Sequence, residues 1–458
     1  MSNDEKPIQE FTDSKRSTWI AIGLLSVLIG VAVWRMLTPV HTLFKYARGG
    51  IMSTPQYNIL VTLPTSSSKK KCAEICVQAD QAARWVEREM NIYNPNSPLS
   101  KFNAGPAGDY PVDPKLLRVL RVSREVHLAS GGAFDVTARP LILLWKQSLK
   151  NIDHPAPAFL LKLFYSGYRQ RPSEISVFDR VWGNVAPLGG PLARAVGVRL
   201  VPPLGEFGRA MRIIGQSQED LFRLIDWRVH QVQTAAWQTL ALPGMAERKR
   251  ARAQSQWDDF VLPAEGTVVQ KKRASGCVDL GGVAKGYAID LAIESLMAQD
   301  MIGGMVDIGG DIRCFGKRPG GSVWRMAIGD PYNPMARYLQ IGGEMVVIGL
   351  RNEAMCTSGD YERGRQVYGR RFSHIVNPAT LDAHTKAPSV TVVAKTAVLA
   401  DAWATALSVL GPAGLDKLKG TDIEALMLMG DDEESTVYYA TENFEKRFLT
   451  EMKYPKGK

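Results

Sequence analysis

The sequence predicts an α+β fold of mixed, largely antiparallel sheets with packed helices, preceded by one N-terminal transmembrane helix. Three observations lead there. From Gly303 onward, short apolar runs (GMVDI, WRMAI, EMVVIG, SVTVVA, EALMLM, TVYYA) alternate with Gly- or Pro-rich turns such as KRPGGS, as antiparallel strands do. Helical periodicity is confined to a few segments that do not alternate regularly with the strands, which argues against a doubly wound parallel sheet. Near the start, the 18 uncharged residues from Ser17 to Trp34 approach the length needed to cross a hydrocarbon core.

Taken in order, residues 1–16 form a polar tail and 17–37 the expected anchor. Trp19 and Trp34 stand near the ends of the apolar run, where indole rings favour the membrane interface. No small-residue cleavage site follows it, so the anchor is expected to stay attached. Flanking positive charge is similar on both sides and leaves orientation open. YNILVTL from Tyr57 reads as a strand, Lys69 to Asn91 and Pro114 to Ser130 as helices, and Val283 to Ala298 and Ala397 to Leu410 as two more. Residues 51–145 and 257–454 then make one domain. Between them, 146–256 is rich in Pro, Arg and Trp with only patchy periodicity, notably in QEDLFRLIDWRVHQVQTAAWQTL, and reads as a basic insertion.

The net charge of +10 is concentrated there: Leu141 to Arg273 holds 19 Lys and Arg against 11 Asp and Glu. Aromatic residues do not alternate with these cations as a base-stacking groove requires, so no nucleic-acid partner is expected. The five cysteines fit no disulfide framework and no zinc spacing. Cys72 and Cys76, four apart in a helix, read as small semi-buried side chains.

Four segments carry candidate chemistry. In VDLGGVAKGYAID, two glycines open a helix whose N-terminal N–H groups suit a phosphate, with Lys285 in the first turn and Asp279 placed for a ribose or base edge. It is neither a Walker loop nor a GxGxxG fingerprint, and a plain helix start has the same form. In LADAWATALSVLG, Asp401 and Thr405 are four apart and share a helix face, as ligands of a hard cation would, or as a threonine bonding back to its own helix would. GGAFDVTARPL reads as a helix cap followed by an extended segment with Asp135. TSGDYERGRQVYGRRFSHIVNP leads through a YGRR hairpin to His374, a structural residue or a base for an acceptor hydroxyl.

Together, YNPNSPLSKFN, GGAFDVTARPL, VDLGGVAKGYAID, VDIGGDIRCFG, TSGDY, FSHIVNP and DAWATAL, in this order, resemble the motifs of the FAD:protein FMN transferase (ApbE-like) family. The resemblance covers roughly Ile51 to Trp145 and Trp257 to Gly411. It departs in the insertion and in NPATLDAHTKAP, which lacks the glycine usual soon after the proline and threonine. What it implies is magnesium-dependent transfer of FMN from FAD onto a threonine of a target protein, with release of AMP. Asp401, Thr405 and the Gly282 carbonyl would hold magnesium. Met52, Tyr93, Ala133, Phe134, Asp135, Asp279, Lys285 and Ile375 would contact FAD, with Tyr93 against the isoalloxazine ring. Catalysis would fall to Lys285, Asp401 and His374. The chain lacks the family's short acceptor pattern, so the acceptor would be a separate protein, such as a membrane redox complex or an exported flavin reductase. The catalytic domain would lie outside the cell inner membrane. An FAD pyrophosphatase giving FMN and AMP, or a flavoprotein-assembly factor that binds FAD without transfer, uses the same motifs.

Overall fold

A computed structural model describes residues 10–37, 41–151, 242–299, 301–332, 340–341, 344–359, 365–367, 370–384, 387, 389–430 and 434–448. Most of the expected insertion, including the QEDLFRLIDW segment, lies outside these residues.

Eight strands form one antiparallel sheet in chain order: β1 (His41–Ala47), β2 (Tyr57–Pro64), β3 (Gly303–Ile308), β4 (Asp311–Gly316), β5 (Ala354–Gly359), β6 (Ser389–Ala394), β7 (Glu424–Met429) and β8 (Val437–Ala440). Side chains alternate across the pleat. Val306, Ile308, Phe315, Ala354, Cys356, Val390, Val392, Ala425 and Met427 face a helical layer in the main core. Met305, Ile312, Cys314, Met355, Val393, Leu426 and Leu428 face the other way. There they meet Trp324, Ile348 and Leu350 of the hairpin Trp324–Ala327/Val347–Leu350 and Phe444 of a C-terminal helix, Glu442–Phe448. Both faces are buried, which explains why the sequence shows compact apolar runs more clearly than alternation.

The helical layer contains α2 (Lys69–Glu89), α4 (Pro114–Ser130), α7 (Ala284–Met297) and α8 (Ala397–Leu410). A 28-residue N-terminal helix, Glu10–Leu37, is α1; a short one, Pro98–Ala104, is α3; α5 (Arg139–Asn151) and α6 (Met245–Ala253) flank the expected insertion. Helix α2 starts at Ser68, whose hydroxyl accepts the Lys71 N–H (3.2 Å). Pro98 and Pro114 open their helices, where no N–H is needed. Leu141, Trp145 and Leu149 of α5 join Ala251 of α6 and Phe372, Val376, Leu381 and Ala383 in a satellite core. The last four belong to a second sheet, Arg365–Val367, Arg370–Asn377 and Asp382–His384, or to its connection, and the expected YGRR hairpin joins its first two strands.

Two expectations need correction. Asp135 does not lie on an extended segment: residues 131–138 fold into turns, because its carboxylate accepts the Thr137 N–H (2.8 Å) and closes the chain on itself. For the expected spanning helix, no helix among the described residues is long and apolar enough to cross a membrane. The described side chains of α1 extend from Trp19 to Val31 with Val33, and all are exposed. The cysteine reading agrees with the structure, where all five are free and four are buried.

Helices α7 and α8 approach unusually closely at Gly286. A Cβ at this position would lie 2.2 Å from the Ala397 carbonyl oxygen and 2.9 Å from the Asp401 Cβ. Backbone cannot yield as a flexible side chain can, so the overlap outweighs the gain of about 1 kcal/mol that alanine normally brings to a helix. Gly286→Ala is expected to destabilise the fold by about 3 kcal/mol in urea unfolding; a variant as stable as wild type would contradict this contact.

Candidate functional site

Neither α7 nor α8 has a side-chain cap of its own. Each takes one from the other. Asp401 of α8 accepts the Gly286 N–H in the first turn of α7 through Oδ2 (3.0 Å). Asp290 of α7 accepts the N–H groups of Ala397 and Val398, which open α8, at 2.9 Å each. These carboxylates satisfy donors that every helix start leaves open, and each favours the positive end of a helix dipole. Asp290 is fully buried and Arg313 of β4 balances its charge at 2.6 Å.

This exchange assembles the cluster that the sequence only suggested. Because Gly286 N–H turns to Asp401, it does not bond back to the Gly282 carbonyl, and no described hydrogen bond reaches that oxygen. A Cβ on Gly282 would stand 3.3 Å from Thr405 Oγ1 and 3.4 Å from the Phe134 ring. Gly282, Asp401 and Thr405 are therefore brought together, with Phe134 beside them. Ser358 Oγ lies 3.3 Å from Thr405 Oγ1.

Lys285 is brought there too, but not as a free cation. Its ammonium pairs with Asp311 at the start of β4, and Asp311 also accepts the Thr357 N–H (2.9 Å). Burial would lower the Lys285 pKa, but Asp311 and Asp401 raise it above its ordinary value. Burial, then Asp311, push Asp401 up to about 7, against the opposing influence of Lys285 and the Gly286 N–H. Two carboxylates crowd one ammonium, and Asp401 lacks a full counter-charge.

The remaining expected residues border this cluster. Asp279 Oδ1 accepts the Gly281 N–H (2.9 Å), and its own N–H reaches Val136 O (2.7 Å). Burial raises its pKa, while the Gly281 N–H, Arg139 and Lys146 lower it. Asn103 of α3 exchanges two hydrogen bonds with Val278, at 2.8 Å each, fixing the irregular segment before Asp279. Ala133 and Phe134 are buried; Phe134 O accepts from or lies against His127 Nδ1 at 2.9 Å. Both Asp135 oxygens are engaged within the protein, Oδ1 by Thr137 (2.8 and 2.6 Å) and Oδ2 by Arg252 of α6 (2.5 Å). Tyr93 is 74% exposed, with Lys146 Nζ 5.0 Å from its ring centre. Met52 occupies a left-handed turn (φ 51°), where its N–H donates to Glu87 (2.8 Å). That turn lies against Gly309, ahead of Asp311. His374 is exposed and Ile375 half-buried on Arg370–Asn377, a strand that lies against α8.

Sequence reasoning assigned no role to Asp290, Asp311, Ser358, Asn103 or Arg252. Asp290 and Asp311 were within quoted motifs, but their partners are distant in the chain. Arg252 was placed in the insertion, yet it holds Asp135.

Among the described residues, no three His, Cys, Asp or Glu side chains group as a metal site. The cluster at Asp401 has a different composition: one carboxylate, one hydroxyl and one backbone carbonyl. Together the fold and this cluster define an antiparallel α+β protein with a buried charged cluster between two helix starts. The ApbE family model matches residues 56–171 and 219–427, more than half of the chain, and the chain belongs to the ApbE family. It is 35% identical over 191 residues to an FAD:protein FMN transferase of Vibrio cholerae, covering 41% of this chain and 55% of the relative. It is 39% identical over 137 residues to one of Haemophilus influenzae, covering 29% and 38%. The chain thus spans about half or less of the length of these curated relatives. Solved structures share the fold: flavin transferase ApbE from Vibrio cholerae (TM-score 0.57, 22% identity, 90% of this chain and 100% of that one) and the apo flavinyl transferase ApbE of Pseudomonas stutzeri (0.59, 20%, 90% and 99%).

The raised Asp401 pKa has a consequence for metal-free protein. With about 3.9 in the unfolded chain and about 7 in the fold, the native state binds the proton more tightly. Its contribution to stability is full below the unfolded value and is lost as pH rises through about 7. In chelator, wild type should lose on the order of 5 °C more than Asp401→Asn between pH 5 and 8. Parallel melting curves for the two proteins across this range would contradict the assignment.

Proposed function

We propose that this chain transfers the FMN half of FAD onto a threonine hydroxyl of a separate protein, releasing AMP. The observation that supports this reading best is the meeting of Gly282, Lys285, Asp401 and Thr405 between α7 and α8, in a chain whose curated relatives are named for FMN transfer. Magnesium fits the donor set. Asp401 has one oxygen engaged by Gly286, the Gly282 carbonyl accepts no described hydrogen bond, and the negative charge shared by Asp311 and Asp401 favours a cation. Bound there, the ion would supply charge neutralisation on pyrophosphate oxygens.

The residues divide the remaining work. Lys285, held by Asp311, presents a fixed ammonium toward the first turn of α7, where a phosphate would be stabilised by the helix start. The acceptor threonine oxygen forms a bond to the FMN-side phosphorus, and the bond to the AMP oxygen breaks. AMP leaves with the bridging oxygen, and the threonine proton passes to a base, for which His374 is the candidate. Tyr93, Met52, Ile375 and the segment Ala133, Phe134 and Asp135 would border the flavin, with Phe134 beside Gly282.

Incubating the protein with FAD, magnesium and a threonine-bearing acceptor should yield AMP and a covalently fluorescent acceptor band. Asp401→Ala should abolish magnesium-dependent turnover, and His374→Ala should slow transfer by about 10²-fold to 10⁴-fold with FAD affinity nearly unchanged. Free FMN with AMP would indicate a pyrophosphatase instead, and intact FAD a binding factor.

We further propose that the apolar N-terminal run holds the protein at the cell inner membrane with the catalytic domain on the extracytoplasmic side, beside a membrane redox complex or exported flavin reductase as acceptor. Its support is the uncharged run Ser17 to Trp34 and the exposed apolar side chains from Trp19 to Val33. Deleting residues 1–37 should move the protein from the membrane to the soluble fraction with FAD binding retained; native full-length protein recovered in the soluble fraction would refute the anchor.

A further inference from the structure

Arg139, the first residue of α5, carries an unmet need beside the cluster. Its Nη1 is buried without a hydrogen-bond partner, 3.7 Å from Asp279 Oδ2. That separation exceeds a hydrogen bond, and arginine cannot shed its charge to relieve the loss. Asp279 offers the complementary vacancy: Oδ1 is engaged by Gly281 N–H, while no described hydrogen bond reaches Oδ2. The spacing is held from both sides. The Asp279 N–H donates to Val136 O at 2.7 Å, and the Ala138 N–H donates to Asp135 O at 3.2 Å, just before Arg139. Of the two side chains, 20% of Arg139 and 14% of Asp279 remain exposed, so the pair lies within reach of a ligand.

A donor and an acceptor that cannot quite satisfy each other select what enters between them. An anion would be repelled by Asp279, an ammonium by Arg139, and an apolar group would leave both unpaired. A hydroxyl suits both, since it donates to the carboxylate and accepts from the guanidinium. Gly281 and Gly282 follow Asp279 after the single residue Leu280, so a dinucleotide with its phosphates at this helix start would bring its adjoining hydroxyl-bearing chain to the pair. In FAD that chain is the ribose on one side of the pyrophosphate and the ribityl chain on the other.

We propose that Arg139 and Asp279 jointly bind a hydroxyl of the sugar or polyol chain next to the pyrophosphate, with Arg139 as a further substrate contact; this rests on the flavin-transfer reading. Calorimetric titration of the full chain in detergent with FAD, ADP and FMN separately tests it, comparing wild type with Arg139→Met and Arg139→Lys. Arg139→Met should weaken FAD binding about 10-fold, and Arg139→Lys should recover part of the loss. Loss shared by ADP but not FMN identifies the ribose, and the converse the ribityl chain. Because Arg139 also offsets the charge of the buried Asp279 carboxylate, ligand-free Arg139→Met should melt about 3 °C below wild type, whereas Arg139→Lys, which keeps the charge, should melt within about 1 °C of it. FAD affinity within about twofold of wild type overturns the proposal, as does an equal loss for FAD, ADP and FMN, which a merely structural role would give. Wild-type protein that binds none of the three ligands overturns the flavin reading itself, and this contact with it.

Discussion

The site depends on two helices that lack caps of their own and lend each other a carboxylate. Asp290 and Asp401 cross the α7–α8 interface in opposite directions, and Gly286 permits the separation at which both can reach. A buried carboxylate is tolerated only where its hydrogen bonds and charge are met. Asp290 meets that condition with two N–H groups and Arg313. Asp401 meets it only in part. The structural member of the exchange is thus saturated, and the member that faces Gly282 and Thr405 retains capacity for a ligand.

Around this lock, charge is arranged in alternation. Lys285 stands between Asp311 and Asp401, while Asp279 is flanked by Arg139 and Lys146. Each group raises or lowers its neighbour, so none can be read as an isolated acid or base. Burial also pushes the Cys356 thiol well up beside Asp311 and Asp401, which keeps it a neutral packing group.

Much of this was legible in the sequence because it is local. Helix α8 was expected at Ala397 to Leu410 and occupies those residues; α4 likewise runs from Pro114 to Ser130. Turn chemistry separated the strands, and period-four spacing put Asp401 and Thr405 on one face. What escaped was non-local. No periodicity indicates that Asp290 would cap a helix more than a hundred residues away, that Asp311 at the start of β4 would pair with Lys285 of α7, or that Arg252 would return to Asp135. The Asp135 segment reads as extended in the sequence because its carboxylate accepts from the Thr137 N–H and hydroxyl and folds the chain in a way that apolar patterning does not register.

The order of strands in the sheet has a kinetic side. Each strand neighbours its predecessor in the chain, so pairing can proceed step by step, but the excursion between β2 and β3 holds α2 through α7, and α8 follows β6. Contacts of such long sequence separation pay their loop-closure entropy before they return any binding. The α7–α8 lock cannot close until residues 290 and 397 are both present and docked. An emerging chain would therefore be unable to form this centre, and on the proposed reading capture of FAD would report that synthesis and folding had passed β6.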